Sequence, residues 1–314
     1  MLDGDRMTNN YSISIEQYPA YELIVSLYTF IYNRKLKTID LKDQWVKETK
    51  GNLPPHLIRK LEDERWEVLH RIVLLISQCS EKETVDAFLK WFEGVSAGEL
   101  YERLAPWVDT ISTDLGTIRD KTVEILHEWN EYYFKNVEPA IHTLLKQDAK
   151  DKQGKVGSYQ PIDLIEEATN GLRIEKSDQL NRVVLIPQYH CSPVTILDFF
   201  NGIATCLYPV RNPSEFDPTK EMISALQCLG DETRLKMLLY VAEQPRTLID
   251  LHKHFGLAKS TIHHHIAHLR REGAIRSHFM GSSTPAFYSL RKSFISKFSE
   301  DFTKLFENHG EAQV

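Results

Sequence analysis

The sequence predicts a mainly α (α+β) protein in two parts: a large helical N-terminal domain closed by a small antiparallel sheet, and a smaller C-terminal domain of short helices ending in a β-hairpin. Three observations lead there. Apolar residues recur at helical spacing from Leu23 to Leu145, β-prone runs around Asn201-Gly202 follow, and four short amphipathic segments with their own caps lie between Asp217 and Gly273. A chain of 314 residues is also longer than one compact domain needs.

Residues 1–10 are polar and expected to fray. The N-terminal domain, set at 11–208, begins with Leu23, Leu27, Phe30 and Ile31 after Pro19. Leu57 and Leu61 follow Pro54-Pro55; Val68, Ile72, Leu75 and Ile76 form a longer stripe; Val85, Leu89 and Phe92 precede a break at Gly94 and Gly98. Leu115, Ile118, Val123, Leu126 and Trp129 mark a long helix, and Ile141, Leu144 and Leu145 the next. The tryptophans, at 45, 66, 91, 107 and 129, all fall here and are expected to anchor the core, because large aromatics dominate burial. Residues 149–158 are charged and glycine-containing, a predicted loop, and 161–168 a short helix stopped by Asn170-Gly171. The texture then turns β-like at 172–174, 182–186, 195–200 and 203–208, with Asn201-Gly202 as a hairpin signal. A proline-rich joint, 209–217, closes this half.

The second domain is set at 218–308. Asp217 can cap its first helix, with Pro218 in the first turn and Met222, Ile223, Leu226 and Leu229 as one stripe. Asp231 caps the next, for which Leu235, Leu238, Leu239 and Ala242 are the expected buried face. Thr247 caps a third, carrying Leu248, Leu251 and Phe255 inward and ending on Gly256. After a tight turn at 256–258, a fourth helix over about 259–272 turns Ile262, Ile266 and Leu269 inward and stops at Gly273. Two short helices joined by a glycine-containing turn form a helix-turn-helix, whose second helix can enter the major groove. The apolar runs 274–279 and 286–290 flank 280–285 as a wing. The last segment, 292–308, gathers Phe294, Ile295, Phe298, Phe302, Leu305 and Phe306 on one face, too apolar for a lone exposed helix.

Side chains at the start of the fourth helix are all hydrogen-bonding types, and Lys259, Ser260, Thr261, His263 and His264 are the expected DNA contacts, with Arg271 and Arg276 as phosphate partners. His265 lies beside Ile262, Ile266 and Leu269 and is expected to pack. The charge distribution agrees. The chain is mildly acidic, at −6, but residues 246–297 hold nine basic and two acidic residues, a net +7, which leaves −13 elsewhere. Such a local basic field suits a phosphate backbone.

The runs Gly230-Asp231-Glu232-Thr233-Arg234-Leu235, Ser260-Thr261-Ile262, His264-His265 and Leu269-Arg270-Arg271-Glu272-Gly273-Ala274-Ile275, in this order and spacing, resemble the winged helix-turn-helix of ArsR-type transcriptional regulators. The likeness spans roughly residues 221–290, under a third of the chain. It implies a repressor that binds operator DNA as a homodimer, with the terminal helices building the two-fold pair. Two positions depart from the pattern: Ala258 stands where a capping Ser is common, and the wing tip at 281–284 has no arginine. The N-terminal domain is expected either to sense an unidentified small-molecule effector, an apolar one by its aromatic content, or to provide extra dimer surface. An alternative from another class remains open, an interaction or scaffold module whose winged helix recognises protein.

His264 and His268 are an i, i+4 pair, which is metal-ligand spacing. In metal-sensing ArsR-type proteins, however, a Cys-x-Cys pair opens the helix before the recognition helix, and here those positions hold Thr247 and Ile249. The terminal helix has no histidine before His309, so no metal and no cofactor is expected. Cysteines 79, 191, 206 and 228 are too scattered for a zinc finger or a disulfide framework. The chain has no phosphate loop, GxSxG elbow, HExxH or CxxC, so it is not expected to be an enzyme. A polar beginning and the lack of a long apolar run point to the cytoplasm and away from membranes.

Overall fold

In the computed structural model, which describes residues 11–33, 39–63 and 68–310, the chain opens with a strand, β1 (Ser12–Ile15), and a helix, α1 (Pro19–Tyr32). The strand has no counterpart among the sequence expectations, since four residues are too few for alternation to stand out. Residues 1–10, expected to fray, and Trp66 lie outside the described residues. Pro19 sits in the first turn of α1, where its missing N–H is one of the orphan donors in any case. Leu23, Ile24, Val25 and Leu27 are all buried, so the helix is covered nearly all round.

The helices that follow are α2 (Lys42–Asn52), α3 (Pro55–Asp63), α4 (Val68–Gln78), α5 (Val85–Gly94), α6 (Ala97–Leu104), α7 (Leu115–Tyr132) and α8 (Pro139–Gln153). Helices α4, α5 and α7 pack directly on α1. Thr84 caps α5 by accepting from Ala87 N at 3.1 Å, and Ser96 caps α6 by accepting from Glu99 N at 3.1 Å. Trp129 is fully buried and its Nε1 donates to Ser26 Oγ at 3.0 Å, while Trp45, Trp91 and Trp107 pack against the same core. Helix α8 runs on to Gln153, through residues expected as loop. Lys150 and Lys152 occupy its last turn, where cations favour the carbonyl end, and Lys152 pairs with Asp148 one turn back at 2.5 Å.

Next come α9 (Pro161–Ala168) and β2 (Leu172–Ile174), which belong to the second unit, and then β3 (Leu180–Gln188), β4 (Ile196–Phe200) and β5 (Gly202–Pro209), which return to the first. The sheet order is β1-β3-β5-β4. It is mixed, not antiparallel as expected: β4 and β5 form the hairpin that Asn201-Gly202 announces, but β5 lies parallel to β3, and β3 parallel to β1. Parallel neighbours joined over distance carry no turn signal, so only the hairpin was legible. Strands β3 and β5 are buried along most of their length, which removes alternation from their sequences. A buried carboxylate pins the loop after β3. Glu22 accepts from His190 N at 3.0 Å and from the His190 Nδ1 at 2.5 Å, and the imidazole Nε2 is hydrogen-bonded to the Tyr133 hydroxyl at 2.7 Å, which in turn accepts from Trp45 Nε1 at 2.7 Å.

The second unit consists of Gly157–Ser177 and the chain from Asn212 onward. This differs from the division at 208/218, because α9 and β2 were read as part of the N-terminal domain. Its later elements are α10 (Pro218–Leu229), α11 (Glu232–Glu243), α12 (Leu248–Phe255), α13 (Lys259–Arg271), β6 (Ile275–Phe279), β7 (Phe287–Leu290) and α14 (Lys292–Gly310). Asp217 and Asp231 cap α10 and α11 as expected, accepting from Thr219 N at 3.0 Å and Arg234 N at 2.8 Å. The buried faces of these two helices are rotated from the expected ones. In α11 the core takes Met237, Leu238 and Val241 while Leu235, Leu239 and Ala242 are exposed; in α10 it takes Met222, Ala225 and Cys228 while Ile223 and Leu226 are exposed. Both helices carry two overlapping apolar stripes, and periodicity alone cannot say which one faces inward. All four cysteines are buried and free, and no described helix is long and apolar enough to cross a membrane.

Candidate nucleic-acid interface

Helix α12 begins with a reciprocal cap: Thr247 Oγ1 accepts from Asp250 N at 3.1 Å, and the Asp250 carboxylate accepts from Thr247 N at 2.9 Å. It ends at Gly256, whose φ of +64° is the left-handed conformation that lets the chain reverse into α13. The imidazole of His252 holds the turn by donating from Nδ1 to the Leu257 carbonyl at 2.6 Å. Helix α13 then buries Ile262, Ile266 and Leu269 against Met237, Leu238, Leu251 and Tyr288.

Burying that stripe fixes what the opposite side presents. Ser260, His264, Ala267 and Arg271 recur at i, i+4, i+7 and i+11, and all four are exposed. Lys259 and His263 flank this line and are also exposed, and Thr261 and His268 are half-buried at its edge. No side chain caps the start of α13, so the N–H groups of its first turn remain available to an anion. The two acids of the basic segment are both engaged: Asp250 in its capping box, and Glu272 accepting from Ser224 Oγ at 2.7 Å.

The histidines divide by burial. His264 and His268 lie with ring centroids 4.6 Å apart. Burial pushes the His268 pKa down, and the neighbouring His264 adds to the effect. His265 is turned toward α11, with Nδ1 3.8 Å from Asp231 Oδ1 and without a hydrogen bond. Burial lowers its pKa too, against the pull of Asp231. It packs, as expected. Among the described residues no group of three or more His, Cys, Asp or Glu is arranged to hold a metal ion.

Residues 231–277 match the family model described as "Bacterial regulatory protein, arsR family". The matched segment, with β7 after it, has the helix-turn-helix and wing of an ArsR-type module. Modules of this family are DNA-binding parts of transcriptional regulators. Among solved structures, an ArsR-like transcriptional regulator from Rhodococcus sp. RHA1 is similar at 17% identity, covering 30% of this chain and 87% of that one with a TM-score of 0.26. Reduced HlyU from Vibrio cholerae N16961 is similar at 21% identity, covering 26% and 84%, with a TM-score of 0.22. No curated protein matches the chain.

The ArsR-type match takes in α11, α12, α13 and the start of β6. Of the expected site residues, Lys259, Ser260, His263, His264 and Arg271 share one exposed side of α13, with Thr261 at its margin. Arg276 stands apart. It leaves the helix for β6, and its Nε donates to the buried Glu166 carboxylate at 2.9 Å. Arg246 is also committed, stacked 3.9 Å over the Tyr240 ring and paired with Glu243 at 3.0 Å. Two features escaped sequence reasoning. Ala267 drew no attention because it is small and apolar, although the 3.6-residue period puts it in line with Ser260 and His264. Glu166, an acidic residue on a short helix like many others in the sequence, is buried among arginines, and no local signal could have found partners so far along the chain.

Proposed function

We propose that the protein is a sequence-specific transcriptional repressor that binds operator DNA as a homodimer through α13. The observation that carries this reading is the exposed line of Ser260, His264, Ala267 and Arg271 opposite the buried stripe, beginning at a helix N-terminus with no side-chain cap. Lys259 and the free first-turn N–H groups would take phosphates, and Arg271 another at the far end of the helix. Ser260, Thr261, His263 and His264 would read base edges, with Ala267 small enough to let the helix settle against a thymine methyl.

Support for the homodimer comes from apolar side chains left uncovered on packed helices. Helix α10 lies against α14, and Ile223, Leu226, Ile295, Phe302 and Phe306 remain exposed on the two. A second copy would cover them and supply the two-fold symmetry that a palindromic operator requires. Repression is the simplest consequence of a dimer seated on an operator. The N-terminal unit would sense the effector, for which a shallow, open depression lined by Trp107, Glu99, Glu102 and Arg103 offers one place. That lining suits a polar effector better than the apolar one suggested by aromatic content. Selection of bound duplexes from a random pool tests the reading: an inverted repeat should be enriched, and a pool that stays random contradicts it.

A further inference from the structure

The strand that completes the wing sheet comes from far upstream. Strand β2 lies parallel to β6, with Leu172, Arg173 and Ile174 opposite Ser277, His278 and Phe279, and the sheet order is β2-β6-β7. Gly171 O accepts from Ser277 N at 2.9 Å, and Glu175 N donates to Phe279 O at 2.8 Å. The chain enters this segment from Val156 and leaves it toward Asp178, both in the other unit.

Side chains tie the segment to three parts of the reader. Glu166, 6% exposed, accepts from Arg276 Nε on β6 at 2.9 Å, from Arg291 Nε just before α14 at 3.3 Å, and from Arg173 on β2. Burial works against its charge, yet the hydrogen bonds from Arg276 and Arg173 outweigh it and hold its pKa below the usual carboxylate range. Glu175 pairs with His278 Nδ1 at 2.6 Å, and His278 Nε2 reaches Ser289 Oγ on β7 at 2.8 Å. At the end of the recognition helix, Asn170 Nδ2 donates to Arg271 O at 3.5 Å. A Cβ on Gly273 would come within 2.4 Å of Asn170 Oδ1, and one on Gly171 within 2.8 Å of Ile275 O. Both glycines have positive φ, so the close approach and the backbone turn depend on the same two residues.

We infer that residues 166–175 form a bracket that sets the recognition helix and wing in the geometry needed to read DNA, with Glu166 as its positioning residue acting through Arg276 and Arg291. The inference rests on the DNA-binding reading and assigns Arg276 a new role. Its guanidinium serves the bracket and does not neutralise a phosphate.

The test uses the full-length protein, a duplex recovered by selection and a random-sequence duplex, with Glu166→Gln, Arg276→Gln and the double variant compared by fluorescence anisotropy. Each single change should weaken binding to the selected duplex by about tenfold, leaving random-sequence affinity and the salt slope unchanged; the double variant should lose no more than the worse single one. Glu166→Asp, which keeps the charge, should recover part of the loss. A salt slope reduced by about one in Arg276→Gln would make it a phosphate contact and overturn the assignment, as would additive losses or unchanged specific binding in Glu166→Gln. If Glu166→Gln fails to fold, Glu175→Gln reads the bracket at its other end, and unchanged specific affinity there overturns the inference. A wild-type chain that binds neither duplex removes the DNA-binding reading and this inference with it, a different result from a wild type that binds and variants that bind equally well.

Discussion

The recognition helix and the wing sheet are neighbours in the chain, yet one is a local object and the other is not. Helix α13 takes its limits from residues beside it: the left-handed Gly256 and the turn before it, Gly273 after it, and Ile262, Ile266 and Leu269 between. The wing sheet is completed by a strand from another part of the sequence, and its buried ion pair joins residues 110 positions apart. The difference matters for charge. Arg271 and Arg276 count equally toward the basic segment, but one is exposed on the helix and the other is bonded to a buried carboxylate. Net charge therefore overstates what can meet a nucleic acid.

The contrast is sharpest in stability. Leu269 and Ile174 are both fully buried, one in the helix and one in the distant strand. If the strand belongs to the same cooperative unit, Leu269→Ala and Ile174→Ala should each cost about 2 to 5 kcal/mol in chemical denaturation. An Ile174→Ala protein as stable as the parent would reduce β2 to an ornament of the fold. Binding gives the next largest effects. Ser260→Ala and His264→Ala should each cost about 1 to 3 kcal/mol on the selected duplex and relax its specificity, without moving the melting temperature. Arg271→Ala should weaken all duplexes alike and lower the salt slope by about one, which Arg276→Gln should not do.

Acid should separate the two regions as well. His265 has a folded pKa depressed below its unfolded value of about 6.5, so the unfolded chain binds more protons as pH falls through that value. The stability this contributes is complete above the unfolded pKa and is lost on the way down to the folded one, a decline that His265→Gln should flatten. Glu166 follows the same sign in a lower window, beneath about pH 4.5, where protonation would release the arginines of the sheet. A pH–stability profile of parent and variant by denaturant titration checks both. The smallest expected effect is local: Thr247→Ala removes one half of the capping box of α12 and should cost about 1 kcal/mol.

What the sequence disclosed follows from the range of each signal. Caps at Asp217, Asp231 and Thr247, the turn glycine at 256, the stripe of α13 and the hairpin at Asn201-Gly202 all act within a few residues, and each was legible. The inward faces of α10 and α11 were not, because each helix offers two apolar stripes and only the neighbours decide which is buried. The parallel pairings of β1 with β3 and β2 with β6 leave no turn between them to announce the partner. The same limit hid Glu166, which looks like any other acidic residue on a helix until the arginines of β2, β6 and the chain before α14 surround it.

A duplex lying against the exposed side of α13 should show itself in the affinity of the whole chain for the selected sequence between about 50 and 200 mM salt, where contact with several phosphates requires log K to fall steeply and linearly with log salt. That fall, with Ser260→Ala and His264→Ala weakening the selected duplex at every salt concentration, is the predicted result. A flat salt dependence, or variants that bind as the parent does, would contradict it and favour a winged helix that recognises protein.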